Sequence, residues 1–308
     1  MRVLFMGTPE FALPSLEYLL NHHELVGVFT QPDRKKGRGK KLSPPPVKAF
    51  LENTGIRVYQ PPNLKAPESL DLVRSLSPEV IVVIAYGNLL PGEILEAAPL
   101  GAINVHASLL PALRGASPIQ TAIVRGLEVT GVTTMQMNEG LDTGDILLKE
   151  TVDIPKDMNA GELHDVLKEK SALVLERTLE NLKALKALPQ DESLASYAPM
   201  ITRAMAKINF NQSAREVYNG IRGYFPWPVA YTLVEGVPLK ILQARVRTTS
   251  QTGEPGRVSS VSKEGIEVLC ASDILVILRV QLPSGKPLHV SQFIQGHDLI
   301  RENIQLGE

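Results

Sequence analysis

Residues 1–20, MRVLFMGTPEFALPSLEYLL, predict a strand, a tight turn and a helix in direct succession. The apolar run at 3–6 has the length of a buried strand, and Gly7, Thr8 and Pro9 end it. The leucines and the phenylalanine that follow recur at helical spacing. A strand that passes through a tight turn into a helix is typical of the first unit of an α/β fold.

The same alternation continues through the first half of the chain. Further apolar runs predict strands at 25–30, 80–85, 102–105 and 129–137, and helical patterns such as 67–76 lie between several of them. Strands that are apolar throughout and separated by helices indicate a parallel sheet covered on both faces. The predicted fold class is therefore α/β, with a Rossmann-like, doubly wound and mostly parallel sheet.

The character of the sequence changes near residue 200. Helical periodicity at 160–188 is followed by a segment without periodicity, 189–203, which we interpret as a linker. Short strand-like runs separated by Gly, Pro and Ser then predict a small β-barrel or sandwich. These runs lie at 230–234, 240–246, 257–261, 265–269 and 274–281. The predicted domains are 1–188 and 204–308, joined by that linker.

Composition and charge exclude several classes of protein. The 308 residues carry 32 basic and 33 acidic side chains, whereas a non-specific nucleic-acid binder is usually basic overall. The single cysteine, Cys270, excludes an intrachain disulfide and a cysteine-based metal site. No apolar run reaches the roughly 18 residues of a membrane span, and the N-terminus has no signal-peptide pattern. We expect a cytoplasmic protein that uses neither a metal nor a membrane.

Two features that could bind a nucleotide have a simpler structural explanation. A dinucleotide-binding turn needs Gly-x-Gly-x-x-Gly after the first strand, and Pro9 stands where its second glycine would be. The turn at Gly7 is therefore expected only to start a helix, and no nicotinamide cofactor is indicated. Trp227 lies between two prolines, where core packing is favoured over stacking on a base.

Residues 104–111, NVHASLLP, contain the first candidate catalytic pair. Asn104 and His106 are two positions apart at the end of a predicted strand, so their side chains project to the same side. In open α/β sheets, ligands bind beyond the carboxyl ends of the strands. An amide donor beside an imidazole could polarise a carbonyl group and move a proton. A histidine that only hydrogen-bonds within the scaffold is the competing explanation.

Residues 141–145, LDTGD, supply a candidate carboxylate in a loop between two strand-like runs. Asp142 next to a histidine would hold the imidazole in one tautomer and stabilise its protonated form. A turn in which Asp142 or Asp145 caps the local backbone explains the pattern equally well. The residues alone leave these two alternatives open.

A basic segment at 33–41 interrupts an otherwise neutral chain. Six of its nine residues are Lys or Arg, and two more are Gly. Such a loop can follow phosphates, while its glycines let the backbone adapt to them. An ordinary solvated surface loop is the alternative. The candidate polyanion-binding residues are Arg34, Lys35, Lys36, Arg38, Lys40 and Lys41.

These segments together resemble the methionyl-tRNA formyltransferases, a branch of the formyltransferases that use 10-formyltetrahydrofolate. The resemblance extends over essentially the whole chain, and the pair NVHASLLP and LDTGD is characteristic of the wider group. The basic segment and the FPWP-containing C-terminal part are similar to the tRNA enzymes in particular. The matching stretches are 6–20, 27–48, 82–91, 101–120, 131–147, 197–210 and 221–236.

The resemblance implies a fold and a reaction. The fold is a Rossmann-like formyltransferase catalytic domain over 1–188, followed after the linker by an OB-like β-barrel domain over 204–308 that contributes to tRNA binding. The reaction transfers the formyl group of 10-formyltetrahydrofolate to the methionine amino group of initiator methionyl-tRNA. Its product, N-formylmethionyl-tRNA, serves translation initiation. A monomer in a bacterial-type cytoplasm is the corresponding expectation.

The resemblance also implies roles for individual residues. By motif position, Asn104, His106 and Asp142 take the catalytic roles. The basic segment contacts the acceptor end of the tRNA, with Arg38 as the main candidate for direct contact. The folate-binding stretch falls on Ser108, Leu109, Leu110 and Pro111.

One departure from the family pattern follows that stretch. Many relatives have Arg-Trp-Arg-Gly after the Leu-Leu-Pro, whereas this chain has Ala112, Leu113, Arg114 and Gly115. The chain therefore lacks a cation and an aromatic ring beside the expected site. This departure questions the contacts of those two side chains but leaves the reaction unaffected.

Three other functions fit part of the pattern. A folate-dependent formyltransferase acting on a small-molecule amine, such as an amino-sugar nucleotide, would use the same three catalytic residues. A hydrolase that releases formate would use water as the nucleophile. A non-enzymatic RNA-binding protein would use the barrel and the basic segment, but from Ala204 onward the chain has only eleven basic and nine acidic residues.

Overall fold

The structure, a computed structural model, describes residues 1–36 and 41–307. These residues form two compact units, each assembled from segments that are separate in sequence. The first unit contains Met1–Gly115, Val129–Asp153 and His164–Ala198, and the second contains Ala116–Glu128, Ile154–Leu163 and the chain from Pro199 onward. The predicted division into 1–188, 189–203 and 204–308 concerns pieces of continuous sequence and stays a prediction.

The first unit is built on a seven-stranded sheet. Up to residue 181 the strands and helices are, in chain order, β1 (Arg2–Gly7), α1 (Leu13–His22), β2 (Glu24–Phe29), β3 (Arg34–Lys36), β4 (Lys41–Ser43), α2 (Pro46–Phe50), β5 (Val58–Tyr59), α3 (Pro67–Leu76), β6 (Val80–Ile84), α4 (Gly92–Leu95), β7 (Ala102–His106), α5 (Pro118–Val124), β8 (Val129–Gln136), β9 (Ile146–Asp153) and α6 (Ala160–Asn181). The strand order in the sheet is β5-β2-β1-β6-β7-β8-β9.

The five strands from β5 to β7 run parallel, and β8 and β9 continue the sheet in antiparallel pairing. All of β6 is buried, as are positions 3–7 of β1, which explains why these strands are apolar without alternation. The predicted α/β class with a mostly parallel, Rossmann-like sheet is confirmed. Pairing between β7 and β8 matters for function, because it brings the loop after β8 next to β7.

The second unit is an open antiparallel half-barrel with a helix against it. Helix α5 and residues 160–163 of α6 belong to this unit. Its other elements are α7 (Ala214–Gly223), β10 (Tyr231–Val234), β11 (Val237–Arg247), β12 (Val258–Ser262), β13 (Gly265–Leu269), β14 (Ile274–Gln281), β15 (Leu288–His289) and α8 (Val290–Gly296). The strand order is β10-β11-β14-β13-β12, and β15 pairs with β14. The five strands predicted after residue 204 are therefore present, and the predicted small β domain is confirmed as a class of fold.

Helix α7 was not predicted, although the sequence contains its start signal. Ser213 accepts a hydrogen bond from the backbone N–H of Glu216, and the Glu216 carboxylate accepts one from the Ser213 N–H. This reciprocal capping box satisfies two backbone donors at the start of the helix. The apolar face of α7 packs into the core of the half-barrel through Val217 and Ile221.

Two structural expectations were wrong. Helical periodicity was predicted to 188, but α6 ends at Asn181, and Leu188 instead pairs with Ile146 through backbone hydrogen bonds of 2.8 and 2.9 Å. The residue before a proline favours extended backbone, and Pro189 follows Leu188. Trp227 was expected in the core but is 54% exposed. Within the described part of the chain, no helix is long and apolar enough to cross a membrane.

The pairing of β8 with β9 depends on the absence of a side chain at Gly131. A Cβ atom at this position would overlap the carbonyl oxygen of Glu150 and would lie 2.5 Å from Cδ2 of Leu109. We expect Gly131→Ala to lower the free energy of unfolding by about 1–3 kcal/mol, because overpacking forces the strands apart. Urea denaturation followed by circular dichroism measures this change.

The matched control is Gly296→Ala, since nothing lies within 4 Å of a Cβ atom added there. We expect this variant to stay within about 0.5 kcal/mol of the parent protein. Equal denaturation midpoints for Gly131→Ala and the parent would contradict the proposed steric constraint.

Candidate active site

Three side chains from two segments meet at the candidate site. Asn104 and His106 stand on β7, and Asp142 lies in the loop 137–145 between β8 and β9. The Asn104 amide donates a hydrogen bond to one carboxylate oxygen of Asp142, with 3.3 Å between Nδ2 and Oδ1. The other oxygen, Oδ2, lies 3.7 Å from Nδ1 of His106. The structure thus brings the three predicted residues together, while their catalytic roles stay a proposal.

The Asp142 carboxylate is almost enclosed, with 10% of its side chain exposed. The backbone N–H of Gly115 donates to Oδ2 at 2.7 Å, in addition to the bond from Asn104. A charge removed from water needs such donors, because burying it unpaired is costly. The main chain of Asp142 has φ +54°, a left-handed conformation that Asp tolerates better than most residues. The loop is therefore built to hold one carboxylate in one orientation.

The hydrogen bonds of His106 assign its tautomer. Its Nε2 lies 3.0 Å from the carbonyl oxygen of Leu113. A carbonyl oxygen only accepts, so Nε2 carries a proton and donates it. The other ring nitrogen, Nδ1, faces the Asp142 carboxylate.

Short-range hydrogen bonds within the loop come from a different residue. The side-chain oxygen of Asn138 accepts bonds from the N–H of Gly140 at 3.0 Å and from the hydroxyl of Thr143 at 2.8 Å. Asp142 instead reaches Asn104 and Gly115, which are 38 and 27 positions away. Asn138 thus makes the local turn hydrogen bonds of this loop, whereas the Asp142 carboxylate makes long-range hydrogen bonds.

The stretch predicted to bind folate is packed against the sheet. Ser108 is fully buried and its hydroxyl donates to the Ala112 carbonyl at 2.6 Å. Leu110 is also fully buried, and its N–H donates to the hydroxyl of Thr133 at 3.1 Å. Leu109 is half-buried and Pro111 is buried. These contacts fix the chain between His106 and Leu113, and folate binding by the four residues stays a prediction.

The departure at 112–113 has a limited effect on this geometry. Leu113 is 2% exposed and contacts His106 through its backbone carbonyl. A backbone oxygen is available whichever side chain stands there. Ala112 is half-buried and provides the carbonyl that Ser108 bonds. The departure removes two side chains without changing the main-chain contacts of the site.

Gln190, which was not predicted as a site residue, supports the Asp142 loop. The Gln190 amide nitrogen donates to the carbonyl oxygens of Asp142 and Gly144 at 2.9 and 2.7 Å. Its amide oxygen accepts two bonds from the Arg114 guanidinium, at 3.0 and 2.8 Å. Arg114 also pairs with Glu192 at 2.7 Å, and this hydrogen bond, with a further contribution from the charge of Asp142, raises the pKa of the guanidinium. No local pattern signals such a contact, because Gln190 lies in a segment without periodicity.

The described part of the basic segment consists of the strand pair β3 and β4, hereafter the hairpin. These strands pair antiparallel, with Arg34 opposite Ser43 and Lys35 opposite Leu42. The side chains of Arg34 and Lys35 are exposed. The backbones of Lys36 and Lys41 face each other across the pair, whereas Arg38 and Lys40 lie outside the described residues.

A partly buried cluster of hydrogen bonds lies at the base of this hairpin. The Lys48 ammonium donates to both carboxylate oxygens of Asp33 at 2.8 Å and to the Gln60 side-chain oxygen at 2.9 Å. The Gln60 amide donates in turn to Asp33 and to the Gln31 carbonyl, each at 2.8 Å. Hydrogen bonds from Lys48 and then from Gln60 hold the pKa of Asp33 below its usual value. Asp33, the one acidic residue of the segment 33–41, therefore anchors the hairpin through these bonds.

Within residues 1–36 and 41–307, no group of three or more His, Cys, Asp or Glu side chains is placed to hold a metal ion. In this described part of the chain, His106 and Asp142 lie close together but have no third His, Cys, Asp or Glu placed to complete a metal site with them. The expectation of chemistry without a metal stays a prediction.

Comparison with known proteins identifies the family. Residues 1–179 match the formyl transferase family model, and residues 200–298 match the model of the formyl transferase C-terminal domain. The chain belongs to the formyl transferase family. The resemblance seen in the sequence is thereby confirmed, as is the predicted class of enzyme, a formyl-group transferase.

Curated relatives of this formyl transferase extend over its whole length. The chain is 47% identical over 302 residues to the methionyl-tRNA formyltransferase of Clostridium perfringens strain 13, covering 97% of this chain and 98% of the relative. It is also 47% identical to the methionyl-tRNA formyltransferase of Alkaliphilus metalliredigens, covering 100% of this chain and 99% of the relative.

Solved structures show the same fold at much lower identity. An N-formyltransferase from Helicobacter canadensis, in complex with folinic acid and dTDP-3-aminofucose, matches with a TM-score of 0.68 and 18% identity, covering 90% of this chain and 98% of that one. HypX from Aquifex aeolicus, in complex with tetrahydrofolic acid, matches with a TM-score of 0.61 and 16% identity, covering 96% of this chain and 47% of that one.

The anchor of the hairpin in this formyl transferase can be tested by titration. Asp33 has a lowered pKa. Its ion pair with Lys48 is therefore fully present at pH values above the usual carboxyl pKa and is lost as the pH falls through the lowered pKa. We expect Lys48→Met to raise the pKa of Asp33 toward its usual value, since the first and largest cause of the shift is removed. NMR titration of the side-chain carboxyl carbon measures it.

The exposed Lys65 provides the control for that titration. Lys65→Met should leave the Asp33 titration curve unchanged. An Asp33 curve that is the same in Lys48→Met and in the parent protein would show that Lys48 does not anchor the hairpin.

Proposed function

We propose that this formyl transferase transfers the formyl group of 10-formyltetrahydrofolate to the methionine amino group of initiator methionyl-tRNA. The product, N-formylmethionyl-tRNA, serves translation initiation. The observation that carries the reaction class is the nearly buried Asp142 carboxylate, which accepts a hydrogen bond from Asn104 and lies 3.7 Å from Nδ1 of His106. The full-length identity to methionyl-tRNA formyltransferases supports the choice of acceptor.

Asn104 is suited to stabilise the charge that develops on the formyl oxygen. Its amide nitrogen has two hydrogens, and one of them is directed at Asp142. The second hydrogen is available to donate to the formyl oxygen as negative charge grows there. A donor fixed in advance costs no reorganisation during the reaction and contributes roughly 100- to 1000-fold in rate.

Asp142 is suited to receive the proton that the attacking amino group loses and to return it to the folate nitrogen, which leaves as a neutral amine when its bond to the formyl carbon breaks. Among the described residues, its Oδ1 atom accepts only the 3.3 Å bond from Asn104, whereas Oδ2 has the shorter bond from Gly115. Proton transfer to a positioned carboxylate contributes roughly 100- to 10,000-fold. His106 supports the charged carboxylate through Nδ1, with the opposite side of its ring held by Leu113. Both ring nitrogens thus face protein groups, and His106 acts on the reaction through Asp142.

Folate binding is proposed for the edge of the sheet beside these residues. 10-Formyltetrahydrofolate supplies the formyl group as an amide-like carbonyl. Two side-chain polar atoms that follow β2 and β6, Nε2 of Gln31 and the hydroxyl of Tyr86, are buried without a partner among the described residues. A buried donor without a partner in the protein is expected to bond a ligand or an ordered water. Ser108, Leu109, Leu110 and Pro111 stay the predicted contact stretch, by resemblance.

Binding of the tRNA acceptor end is proposed for the basic hairpin. Exposed Arg34 and Lys35, together with Lys36, Arg38, Lys40 and Lys41, concentrate positive charge on a chain whose net charge is −1. Lys and Arg side chains that track phosphates supply affinity that falls with salt. The C-terminal domain over 204–308 is proposed to contribute to the same interaction, and the protein is proposed to act as a monomer in the cytoplasm.

A small-molecule amine, such as an amino-sugar nucleotide, is the second candidate acceptor. The solved N-formyltransferase from Helicobacter canadensis is in complex with dTDP-3-aminofucose. At 18% identity that likeness establishes the fold only, whereas the methionyl-tRNA formyltransferases are 47% identical. The tRNA acceptor is therefore the better supported proposal.

One assay tests the acceptor. The protein is incubated with 10-formyltetrahydrofolate and either initiator methionyl-tRNA, elongator methionyl-tRNA or an amino-sugar nucleotide, and formylated product is quantified. Formylation of the initiator tRNA in preference to the other two is expected. Formylation of the sugar nucleotide alone would replace the proposed acceptor, and release of free formate without transfer would indicate a hydrolase.

The role of Asp142 is tested by its removal. We expect Asp142→Ala to lower kcat by roughly 100- to 10,000-fold, because the positioned proton acceptor is lost. Binding of the tRNA, measured by filter retention, should remain. Asp145→Ala is the matched control, since Asp145 is exposed in the same loop, and its kcat should stay within about twofold of the parent. Parent-like turnover by Asp142→Ala would remove this residue from the mechanism.

The role of the hairpin is tested at Arg38. We expect Arg38→Ala to raise KM for tRNA. The slope of the logarithm of the tRNA binding constant against the logarithm of the salt concentration should become less steep by about one, because one phosphate contact is lost. KM for the folate should not change. Arg57→Ala, which removes an exposed arginine elsewhere, is the control and should leave both parameters unaltered. A change confined to the folate KM would reject the assignment of this hairpin to tRNA.

A further inference from the structure

The side-chain amide of Gln190 hydrogen-bonds the main chain of the Asp142 loop. The nitrogen has two hydrogens, and it donates to two main-chain oxygens of the same loop, those of Asp142 at 2.9 Å and Gly144 at 2.7 Å. Gln190 lies 48 and 46 positions from these partners, so the contact is purely tertiary. The two oxygens lie before and after Thr143, so the bonds fix the main chain directly after Asp142 and restrict how it can turn.

The opposite end of the amide is held by a sequestered cation. The Gln190 oxygen accepts from Nε and Nη2 of Arg114, and 11% of the Arg114 side chain is exposed. The remaining side of the guanidinium pairs with Glu192, whose side chain is 73% exposed. Because the cation fixes the oxygen, the amide cannot rotate and exchange its nitrogen for its oxygen. The donors of Gln190 therefore point permanently at the Asp142 loop.

The residue after Arg114 completes the arrangement. The Gly115 N–H donates to the Asp142 carboxylate at 2.7 Å. Gly115 thus holds the Asp142 side chain directly, and Arg114 holds the Asp142 main chain through Gln190. On the other side of the loop, a Cβ atom at Gly144 would overlap the carbonyl oxygen of Gln136, so the loop is tightly packed there as well.

The segment that carries Gln190 is bonded to the same structure. The Arg114 N–H donates to the Ser196 carbonyl at 2.9 Å, and the Ala198 N–H donates to the Arg114 carbonyl at 2.7 Å. The Ser196 hydroxyl accepts from the Leu113 N–H at 2.9 Å. Leu113 is the residue whose carbonyl holds His106. Residues 190–198 therefore contact the supports of both His106 and Asp142.

We propose that Gln190 is a positioning residue for formyl transfer, which orients Asp142 by binding its main chain from a cation-fixed amide. This inference rests on the catalytic role proposed for Asp142. A displacement of a reacting group by about 1 Å can cost on the order of 100-fold in rate. Gln190 thereby acts on the catalytic centre from a segment that lies outside the strands and long helices.

Two substitutions separate this role from a general effect on folding. Gln190→Glu keeps the size of the side chain and its bond to Arg114, but a carboxylate has no hydrogen to donate to the two carbonyl oxygens. Gln190→Met keeps the approximate volume and removes both interactions. We expect kcat to fall roughly 10- to 100-fold in each variant, with KM for both substrates within about twofold of the parent.

The control lies on the same segment. Leu194→Ala shortens a side chain that is 65% exposed and should leave kcat and KM unaltered. Thermal unfolding of every variant is recorded, and kcat is expressed per folded protein.

Coupling to Asp142 is the decisive measurement. In an Asp142→Ala background, Gln190→Glu should have no further effect on kcat, because the residue it orients is absent. Parent-like kcat in both single Gln190 variants, or an equal further loss in the Asp142→Ala background, would overturn the inference. If Asp142→Ala itself retained parent turnover, the proposed mechanism would fail instead, so the two failures are distinguishable.

Discussion

The hydrogen bonding of one carboxylate connects the separate parts of the catalytic unit. Asp142 is nearly enclosed, and its charge is tolerable there only because the Asn104 amide and the Gly115 N–H donate to it. These donors come from a strand and from the loop that follows it, 38 and 27 positions away in sequence. The sheet must bring them together before the carboxylate can be buried. Satisfying this charge therefore constrains the pairing of β7 with β8 and the path of both loops.

The direction of each hydrogen bond around Asp142 is set by a group that can act in only one way. Backbone N–H groups can only donate and carbonyl oxygens can only accept, so Leu113 determines the proton on His106 and Gly115 supports the Asp142 charge. The Arg114 cation likewise decides which end of the Gln190 amide faces the loop. The site is preorganised because its neighbours leave its polar side chains no alternative orientation. Such preorganisation is what a reaction that develops charge on a carbonyl oxygen requires.

Prediction from the sequence succeeded where the signal is local. Buried strands, the helices between them and the five strands of the second unit all have short, regular patterns, and the pair Asn104 and His106 follows from strand geometry. It failed where tertiary contacts override such patterns. Leu188 continues the helical stripe but pairs with Ile146 instead. Trp227 is apolar in character yet 54% exposed. The reciprocal cap at Ser213 was a usable local signal for α7 that the apolar pattern did not include.

The sequence by itself determined the fold class, the family resemblance and the identity of the three candidate catalytic residues, because motifs and periodicity are properties of neighbouring positions. It left Asp142 between a catalytic role and a turn role, since both use the same residue type in the same loop. Only the tertiary structure assigned the turn bonds to Asn138 and the long-range contacts to Asp142. Only the tertiary structure placed Gln190 and Arg114 at this loop. Hydrogen bonds between residues 27 or more positions apart have no sequence period, and their geometry exists only once the chain has folded.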